Sequence, residues 1–243
     1  GKASVVRINP DGSVGEMTAE VFHKGMGSIA ERNYRPHITC ARITPDGKFL
    51  TASDVGLDQV KLYGFDAKTG AIKLVDILRC ELESSPRSMI FSPDGRFAYL
   101  ICQLKNCVNV YTYNSDDGMP HFEMIQQIST LGKSYNDKSA VAAIKQSVDG
   151  KYIFCSNAGD NSIAFFVRDE KTGMLTKNCV LPISGDYPKN MCIFPDNKHI
   201  ASLNHESNEI TFFTIDYENG LLIQHGKPMQ VETPNCAVIK KLS

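Results

Sequence analysis

The tract Thr44-Pro45-Asp46-Gly47-Lys48 returns in related form three more times along this chain of 243 residues. The copies are Ser92-Pro93-Asp94-Gly95-Arg96, Ser147-Val148-Asp149-Gly150-Lys151 and Phe194-Pro195-Asp196-Asn197-Lys198, at spacings of 48, 55 and 47 residues. Because proline presets φ and glycine or asparagine accepts a positive φ, each copy predicts a tight turn between two apolar runs. A period near 50 residues, built from strands and turns, is typical of a β-propeller.

The clearest repeat unit runs from His37 to Arg79. Its alternating apolar and polar residues predict four strands separated by two turns and a loop. The predicted strands are Ile38–Ile43, Phe49–Ser53, Gln59–Asp66 and Ala71–Leu78. The same order of segments recurs in three later units, so we predict an all-β fold, a β-propeller of four-stranded antiparallel blades.

The repeats predict one propeller domain over residues 1–243, in which about five blades are represented. Ala3–Ile8 matches a third strand and Glu16–Phe22 an outer strand, which makes residues 1–34 a partial blade. The full blades are predicted at about 35–82, 83–130, 138–184 and 185–233, and a closing strand at 235–242. Closure removes exposed strand edges, but the shared blade would lack a second strand. The chain is therefore either an unusual five-bladed ring or an excerpt from a longer chain.

Composition and charge argue against several classes of partner. The net charge is −1 and the pI is near 6.6, with no basic run of the kind that binds nucleic acids or acidic membranes. No apolar run approaches the roughly 18 residues that a membrane span needs. The eight cysteines form no C-x-x-C pair, so we expect reduced, mostly buried thiols, no metal site, no cofactor and a cytoplasmic location.

The Pro-Asp-Gly turns, the asparagine-rich loops and the order of the segments resemble those of the lactonase family of seven-bladed propellers. That family includes bacterial 6-phosphogluconolactonase and the fungal carboxymuconate lactonizing enzyme. The resemblance covers nearly the whole chain and implies that it corresponds to about the C-terminal two thirds of a member. It therefore favours the excerpt over the five-bladed ring, and it implies a small anionic sugar lactone as substrate.

Opening a lactone requires a general base to activate water and cationic or N–H groups to hold the developing oxyanion. An anionic substrate also needs an arginine or lysine to bind it. In a propeller, these groups are expected on the loops that enter the first strands and on those that join second to third strands. Both kinds of loop are expected to converge at one mouth of the central channel.

The family's motifs match this chain only in part. His37 matches the first histidine of a Pro-His-x-His segment, but Thr39 stands at the second. Arg87 matches the arginine of Gly-Pro-Arg-His, and Ser88 replaces its histidine. Gln103 stands where the family usually has a glutamate, and an amide cannot exchange a proton near neutral pH.

The later blades also depart from the family's pattern. Ala158 stands where an arginine is common, and Lys189 replaces an arginine but keeps its charge. His205 and Glu206 follow the last full blade's second strand and supply a new candidate acid/base pair. The resulting candidates are catalytic His37, Arg87, Gln103, His205 and Glu206, and substrate-binding Arg35, Thr39, Lys105, Asn157 and Lys189.

Each candidate also has a purely structural interpretation. Arg87 can pair with a carboxylate of a neighbouring blade, His37 can be a hydrogen-bonded residue at a strand start, and Gln103 can link two blades. Charged loop tips such as Lys189, His205 and Glu206 are often only solvated. Three loop aspartates allow a similar choice between cation binding and turn capping: Asp54, Asp58 and Asp160.

The segment from His23 to Tyr34 corresponds to a long connection over the mouth in the family. It is predicted to act as a lid, with Glu31, Arg32 and Arg35 within reach of substrate. His23 itself is assigned no role, because it follows an outer strand and is expected to lie away from the mouth.

Three functions remain open at this point. The first is a lactonase acting on an anionic sugar lactone. The second is a catalytically degraded propeller that binds a small anion or a protein partner, favoured by Thr39, Ser88, Gln103 and Ala158. The third is a cycloisomerase that forms or opens a muconolactone.

Overall fold

The computed structural model describes residues 1–27 and 35–240. Within those ranges the ordered elements are all β-strands, nineteen in number, and there is no helix. No helix in this part of the chain is long and apolar enough to cross a membrane. The chain forms two compact units, one of residues 1–102 and 111–123, and one of residues 103–110 and 124–243.

The first unit contains a two-stranded sheet and a complete four-stranded sheet. The two-stranded sheet joins β1 (Lys2–Ile8) and β2 (Val14–Phe22) in antiparallel register. In the four-stranded sheet each strand pairs with its neighbour in sequence. Its strands are β3 (Ile38–Ile43), β4 (Phe49–Asp54), β5 (Gln59–Phe65) and β6 (Ile72–Arg79).

A further sheet has the strand order β10-β9-β8-β7. Strands β7 (Pro86–Phe91) and β8 (Phe97–Cys102) belong to the first unit. Strands β9 (Cys107–Asn114) and β10 (His121–Ser129) contribute residues to both units.

The second unit contains two more sheets of the same design. One has the order β11 (Ala140–Gln146), β12 (Tyr152–Ala158), β13 (Ser162–Arg168) and β14 (Leu175–Pro182). The other has the order β15 (Pro188–Ile193), β16 (His199–Asn204), β17 (Glu209–Asp216) and β18 (Leu221–Gln224), and β19 (Met229–Gln230) also pairs with β17. These sheets confirm the prediction of an all-β fold built from four-stranded antiparallel propeller blades.

The repeated turns have a common hydrogen-bond pattern. The Thr44 hydroxyl donates to the Asp46 carboxylate at 2.5 Å and accepts the Phe49 N–H at 3.0 Å. Gly47 has φ of +72°, a conformation that glycine adopts without steric cost. The next two copies use Ser92 and Ser147 in the same way. The small hydroxyl residue before each of these turns is therefore part of the turn.

The second strand of each blade carries the core. All six residues of β4 and all six of β8 are buried, and β12 and β16 are buried except for their first residues. Burial of both faces does not make these strands wholly apolar, since β4 also carries Thr51, Ser53 and Asp54. In the second unit the core includes Phe154, Phe165 and Met191, and the rings of Phe154 and Phe165 stack at 4.9 Å.

The segment expected as a closing strand at 235–242 has no backbone ladder within its described part, residues 235–240. Side chains of β15 contact it instead. Asn190 Nδ2 donates to the Asn235 carbonyl at 3.3 Å, and the Cys192 thiol donates to the Ala237 carbonyl at 2.8 Å. Among the described residues, no strand pairs with this segment through a backbone ladder, so it is not a β-strand there.

Candidate functional site

The first strand of every four-stranded blade carries a β-bulge near its start. The register skips one residue between Ile38 and Cys40, Pro86 and Ser88, Val141 and Ala143, and Pro188 and Asn190. The skipped residues are Thr39, Arg87, Ala142 and Lys189. A bulge turns a side chain out of the regular alternation and is frequent beside active sites. Three of the four bulged residues are candidates that sequence alone had selected.

The loops after the second strands also share one backbone design. Each ends in a residue with positive φ, which asparagine and aspartate tolerate better than most. These residues are Asp58, Asn106, Asn161 and Asn208, with φ between +49° and +56°. The residues three positions before them are Val55, Gln103, Ala158 and His205. His205 thus occupies the same loop position as Gln103.

In the first unit, a buried carboxylate anchors the entry to β3. Asp54 Oδ1 accepts the backbone N–H of His37 at 2.7 Å and that of Gly56 at 2.9 Å. Asp54 Oδ2 lies 2.6 Å from His23 Nδ1, and neither side chain is exposed. Burial acts to raise the pKa of Asp54, but these hydrogen bonds outweigh burial and leave the pKa below its ordinary value. The His37 ring itself is exposed.

The His23–Asp54 pair was missed by sequence reasoning, which had placed His23 away from the mouth. Its Nε2 atom is buried and has no hydrogen-bond partner in the described part of the chain. The equivalent residues Asn157 and Asn204 suggest its role, since each donates to a carbonyl just beyond the preceding outer strand, Thr130 O at 2.9 Å and Ser184 O at 2.9 Å. The only sign of this pair in the sequence was Asp54, a polar residue at the end of a buried second strand.

Arg87 is half-buried at the bulge of β7. Its backbone carbonyl accepts the Thr39 hydroxyl at 2.6 Å, so the two bulges of the first unit are joined. The Ser88 hydroxyl lies 3.6 Å from the Cys40 thiol. The structure thus brings Thr39 and Arg87 together. The Thr39 hydroxyl proton is used in a hydrogen bond within the protein.

Lys189 is half-buried at the bulge of β15. Its ammonium group has no ion pair or hydrogen bond with any residue in the ranges 1–27 and 35–240. Within the described residues, the Lys189 ammonium group is therefore not committed to an internal partner.

The loop of His205 lies directly beside the residues that lead to Lys189. The His205 N–H donates to the Tyr187 carbonyl at 2.9 Å, and the two rings are 6.2 Å apart. The His205 ring is half-buried, and its Nδ1 has no hydrogen-bond partner in the described residues. Glu206 is exposed, and its N–H donates to the Asp186 carbonyl at 3.2 Å. The second unit thus holds an imidazole and an ammonium on adjoining segments.

The remaining candidates differ in exposure. Gln103 is half-buried, and Lys105 and Arg35 are exposed. Asn157 was predicted to bind substrate, but the structure buries it completely, and its Nδ2 also donates to the Ser162 hydroxyl at 3.0 Å. Its carboxamide therefore holds its own loop in place.

Two further hypotheses concern the predicted lid and the loop aspartates. Most of the predicted lid, including Glu31 and Arg32, lies outside the described residues. The loop aspartates cap the backbone: Asp58 accepts the N–H groups of Glu83 and Ser85 at 3.0 and 2.8 Å. Among the described residues there is no group of three or more His, Cys, Asp or Glu side chains able to hold a metal ion.

Comparisons with known proteins agree with this architecture. A family model described as "Lactonase, 7-bladed beta-propeller" matches residues 1–239. The 6-phosphogluconolactonase of Bacillus subtilis is 29% identical over 236 residues, which cover 97% of this chain and 66% of that protein. The chain therefore spans about two thirds of the length of such relatives.

Solved structures give the same picture. A Bacteroides fragilis protein, provisionally described as a 6-phosphogluconolactonase, is 33% identical with a TM-score of 0.84, over 96% of this chain and 66% of that one. The periplasmic gluconolactonase of Pseudomonas aeruginosa is 24% identical with a TM-score of 0.88, over 97% and 65% of the two chains. At that identity the second likeness concerns the fold alone.

Proposed function

Because the chain belongs to the lactonase family of seven-bladed β-propellers, we propose that its full-length protein hydrolyses an anionic sugar lactone of the 6-phosphogluconolactone type. The observation that carries this proposal is Lys189, a half-buried cation on a bulge with no anionic partner in the described residues. Arg87 occupies the equivalent bulge in the first unit. A cation at such a bulge suits a substrate that carries a phosphate or carboxylate.

In this proposal, water attacks the lactone carbonyl carbon and the ring C–O bond then breaks. The proton lost by water passes to a general base, and a proton is returned to the ring oxygen as it leaves, which yields the hydroxy acid. His205 is the proposed base, because its half-buried ring lies on the loop beside the segment that leads to Lys189. Imidazole suits this step since its ordinary pKa lies near neutral pH.

The proposal is tested with full-length protein and freshly prepared 6-phosphogluconolactone. We expect hydrolysis well above the spontaneous rate, with a raised KM in Lys189→Ala and a lowered kcat in His205→Asn. Lys198→Ala is the matched control, because Lys198 is an exposed lysine in the turn that precedes the next strand of the same blade. Wild-type protein that does not exceed the spontaneous rate would exclude this substrate.

The anionic group of the substrate is tested by comparing phosphorylated and unphosphorylated gluconolactone. If Lys189 holds the phosphate, kcat/KM should fall for the unphosphorylated lactone, and Lys189→Ala should reduce that preference. A muconolactone serves as the third substrate, since the related cycloisomerase chemistry acts on a dicarboxylate.

A second candidate function is anion binding without turnover. It is favoured by Gln103 and Ala158, which occupy loop positions equivalent to that of His205 but carry no group that exchanges a proton. This alternative predicts thermal stabilisation by 6-phosphogluconate with no hydrolysis. If Gln103→Glu then produced hydrolysis, the interpretation as a degraded enzyme would be supported directly.

A further inference from the structure

Three residues have a strained backbone at the loop end of the blades, which is the end where second strands lead into third strands. Ser85, Tyr187 and Thr233 each precede a proline, yet their φ angles are +50°, +59° and +42°. Positive φ is uncommon for residues other than glycine, and a residue before proline normally favours an extended conformation. Each of these residues must therefore be held in place by other contacts.

The contact is the same in all three cases. Asp58 Oδ1 accepts the Ser85 N–H at 2.8 Å, Asn161 Oδ1 accepts the Tyr187 N–H at 2.9 Å, and Asn208 Oδ1 accepts the Thr233 N–H at 2.9 Å. The accepting residues are the positive-φ residues at the ends of the loops after the second strands. We refer to Asp58, Asn161 and Asn208 as the latch residues.

The latch residues also hold the chain on the other side of the same connection. Their backbone carbonyls accept the N–H groups of Cys80 at 3.0 Å, Ile183 at 2.9 Å and Val231 at 3.0 Å. In two of the blades this N–H follows directly on the outer strand, β6 or β14. Each latch residue thus fixes both ends of the segment that leads into the following first strand.

Two residues beyond each strained residue comes a side chain of interest. The order is Ser85-Pro86-Arg87, Tyr187-Pro188-Lys189 and Thr233-Pro234-Asn235. In the first two, the third residue is the bulged cation. Because proline restricts the backbone between them, the conformation held by the latch sets the direction in which the cation leaves the strand.

The remaining blade provides an internal comparison. Its loop ends in Asn106, whose carbonyl still accepts the Thr130 N–H at 2.8 Å, but whose Nδ2 donates to the Ser139 carbonyl at 3.0 Å. No strained residue and no proline precede its bulge, which carries Ala142. The bulge that carries Ala142, a side chain without a polar group, is thus entered without this contact.

We propose that Asp58 and Asn161 are positioning residues: within its own unit, each fixes the direction in which one cation, Arg87 or Lys189, is presented to an anionic substrate. This inference rests on the proposed function, because it assigns a catalytic consequence to the latch. It adds residues that no family motif in the sequence had selected, and it identifies the means by which each cation is held in its own direction.

The kinetic test uses Asn161→Ala, with Asn106→Ala as the matched control of the same residue type, loop position and backbone conformation. Misplacing a substrate-binding group by about 1 Å can cost up to roughly 100-fold in rate. We expect Asn161→Ala to raise the KM for 6-phosphogluconolactone about ten-fold with little change in kcat. In a Lys189→Ala background the same change should have no further effect. The proposal would be overturned if Asn106→Ala raised the KM as much as Asn161→Ala does. It would also be overturned if Asn161→Ala raised the KM by its full factor in the Lys189→Ala background.

A conservative substitution separates positioning from folding. Asp58→Asn copies the natural arrangement at Asn161 and keeps the oxygen that accepts the Ser85 N–H, so it should retain kcat/KM within about three-fold, whereas Asp58→Ala should lose about ten-fold. Equal losses in both variants would contradict a role that depends on this oxygen.

Amide hydrogen exchange distinguishes failure of the latch from failure of the proposed function. Asn161→Ala should speed exchange in the peptide that contains Tyr187 and Lys189, and leave the peptide around Ala142 unchanged. If wild-type protein shows no turnover while exchange behaves as expected, the proposed function fails and the latch stands as a structural device without its catalytic consequence. Unchanged exchange at Tyr187 would refute the latch itself.

Discussion

The two ends of a blade differ in what is repeated from blade to blade. The turn end holds the tight turns between first and second strands, and the loop end holds the loops between second and third strands. At the turn end the side chains repeat, with a Thr or Ser hydroxyl and an Asp carboxylate hydrogen-bonded to each other in three successive copies. At the loop end the backbone repeats, with a bulge in every first strand and a positive φ in every loop, while the bulged side chains differ. The difference indicates that the turn end maintains the blade, whereas the loop end presents variable chemistry on a constant frame.

The largest expected effect of a substitution is on activity at the loop end. In Arg87→Ala we expect kcat/KM for 6-phosphogluconolactone to fall about 100-fold, as is typical when a group that stabilises charge in the transition state is removed. Arg96→Ala is the control, because Arg96 belongs to the turn of the same blade and pairs with Asp94 at 2.7 Å. Steady-state kinetics of both variants check this. A similar fall in both would remove the functional distinction between the two ends.

The next effect is on stability at the turn end. Asp46 Oδ2 accepts the Tyr113 hydroxyl at 3.0 Å and the Ser115 hydroxyl at 2.5 Å. Burial and the nearby carboxylate raise the pKa of Tyr113 to about 12, so the phenol stays a donor. Asp46→Ala should lower the free energy of unfolding by about 1–3 kcal/mol, since it leaves these donors without an acceptor.

Urea denaturation of Asp46→Ala gives that free energy, and kinetics at a temperature where the variant is folded give the activity. We expect unchanged kcat/KM. A variant of normal stability and reduced kcat/KM would show that the turn end takes part in function.

A smaller effect is expected from the pH dependence of stability at Asp54. Because the folded-state pKa of Asp54 is depressed, its contribution is present above the unfolded-state pKa of about 3.9 and is lost as pH falls through the folded-state pKa. In Asp54→Asn this contribution is absent. The difference in unfolding free energy between the two proteins should therefore be constant near pH 6 and shrink as the pH falls below about 4.

Urea denaturation across this pH range checks the prediction. Asp76→Asn is a suitable comparison, because Asp76 is an exposed aspartate in strand β6 of the same blade. A difference for Asp54→Asn that does not change with pH would mean that the carboxylate's charge contributes nothing.

The smallest effect concerns thiol reactivity and leaves stability untouched. Burial raises the pKa of the Cys155 thiol, which lies in the second strand β12, and so keeps it protonated. Cys236, next to Asn235, is exposed. A thiol reagent should therefore label Cys236 quickly and Cys155 only on unfolding, as followed by mass spectrometry. Early labelling of Cys155 would show that the blade opens in the native state.

Much of the fold was predictable because it depends on local patterns. The turn Thr44-Pro45-Asp46-Gly47 and the alternating strands around it use only neighbouring residues, and the predicted strand Ile38–Ile43 agrees with β3 at both ends. Arg87 and Lys189, which the family's motif selects, both lie at bulges. Their assignment to catalysis or binding stays a prediction.

The candidate site was less predictable, because its supporting contacts join residues far apart in sequence. The His23–Asp54 pair spans 31 residues and the bond between Asp58 and Ser85 spans 27. The residue type at these positions is not the same in every blade, since Asp58 and Asn161 are different residues that accept equivalent hydrogen bonds. Asn157 shows the same dependence on distant partners, because its buried Nδ2 donates to the Thr130 carbonyl, 27 residues away.

The amino-acid sequence by itself determined the repeating blade, because turn chemistry and period-two alternation act over a few residues. Only the tertiary structure decided which polar groups serve the frame and which remain available to a ligand. That distinction depends on where each donor and acceptor finds its partner: the Thr39 hydroxyl finds one in the next blade, and the Lys189 ammonium finds none among the described residues. Partners brought together by folding leave no local trace in the sequence.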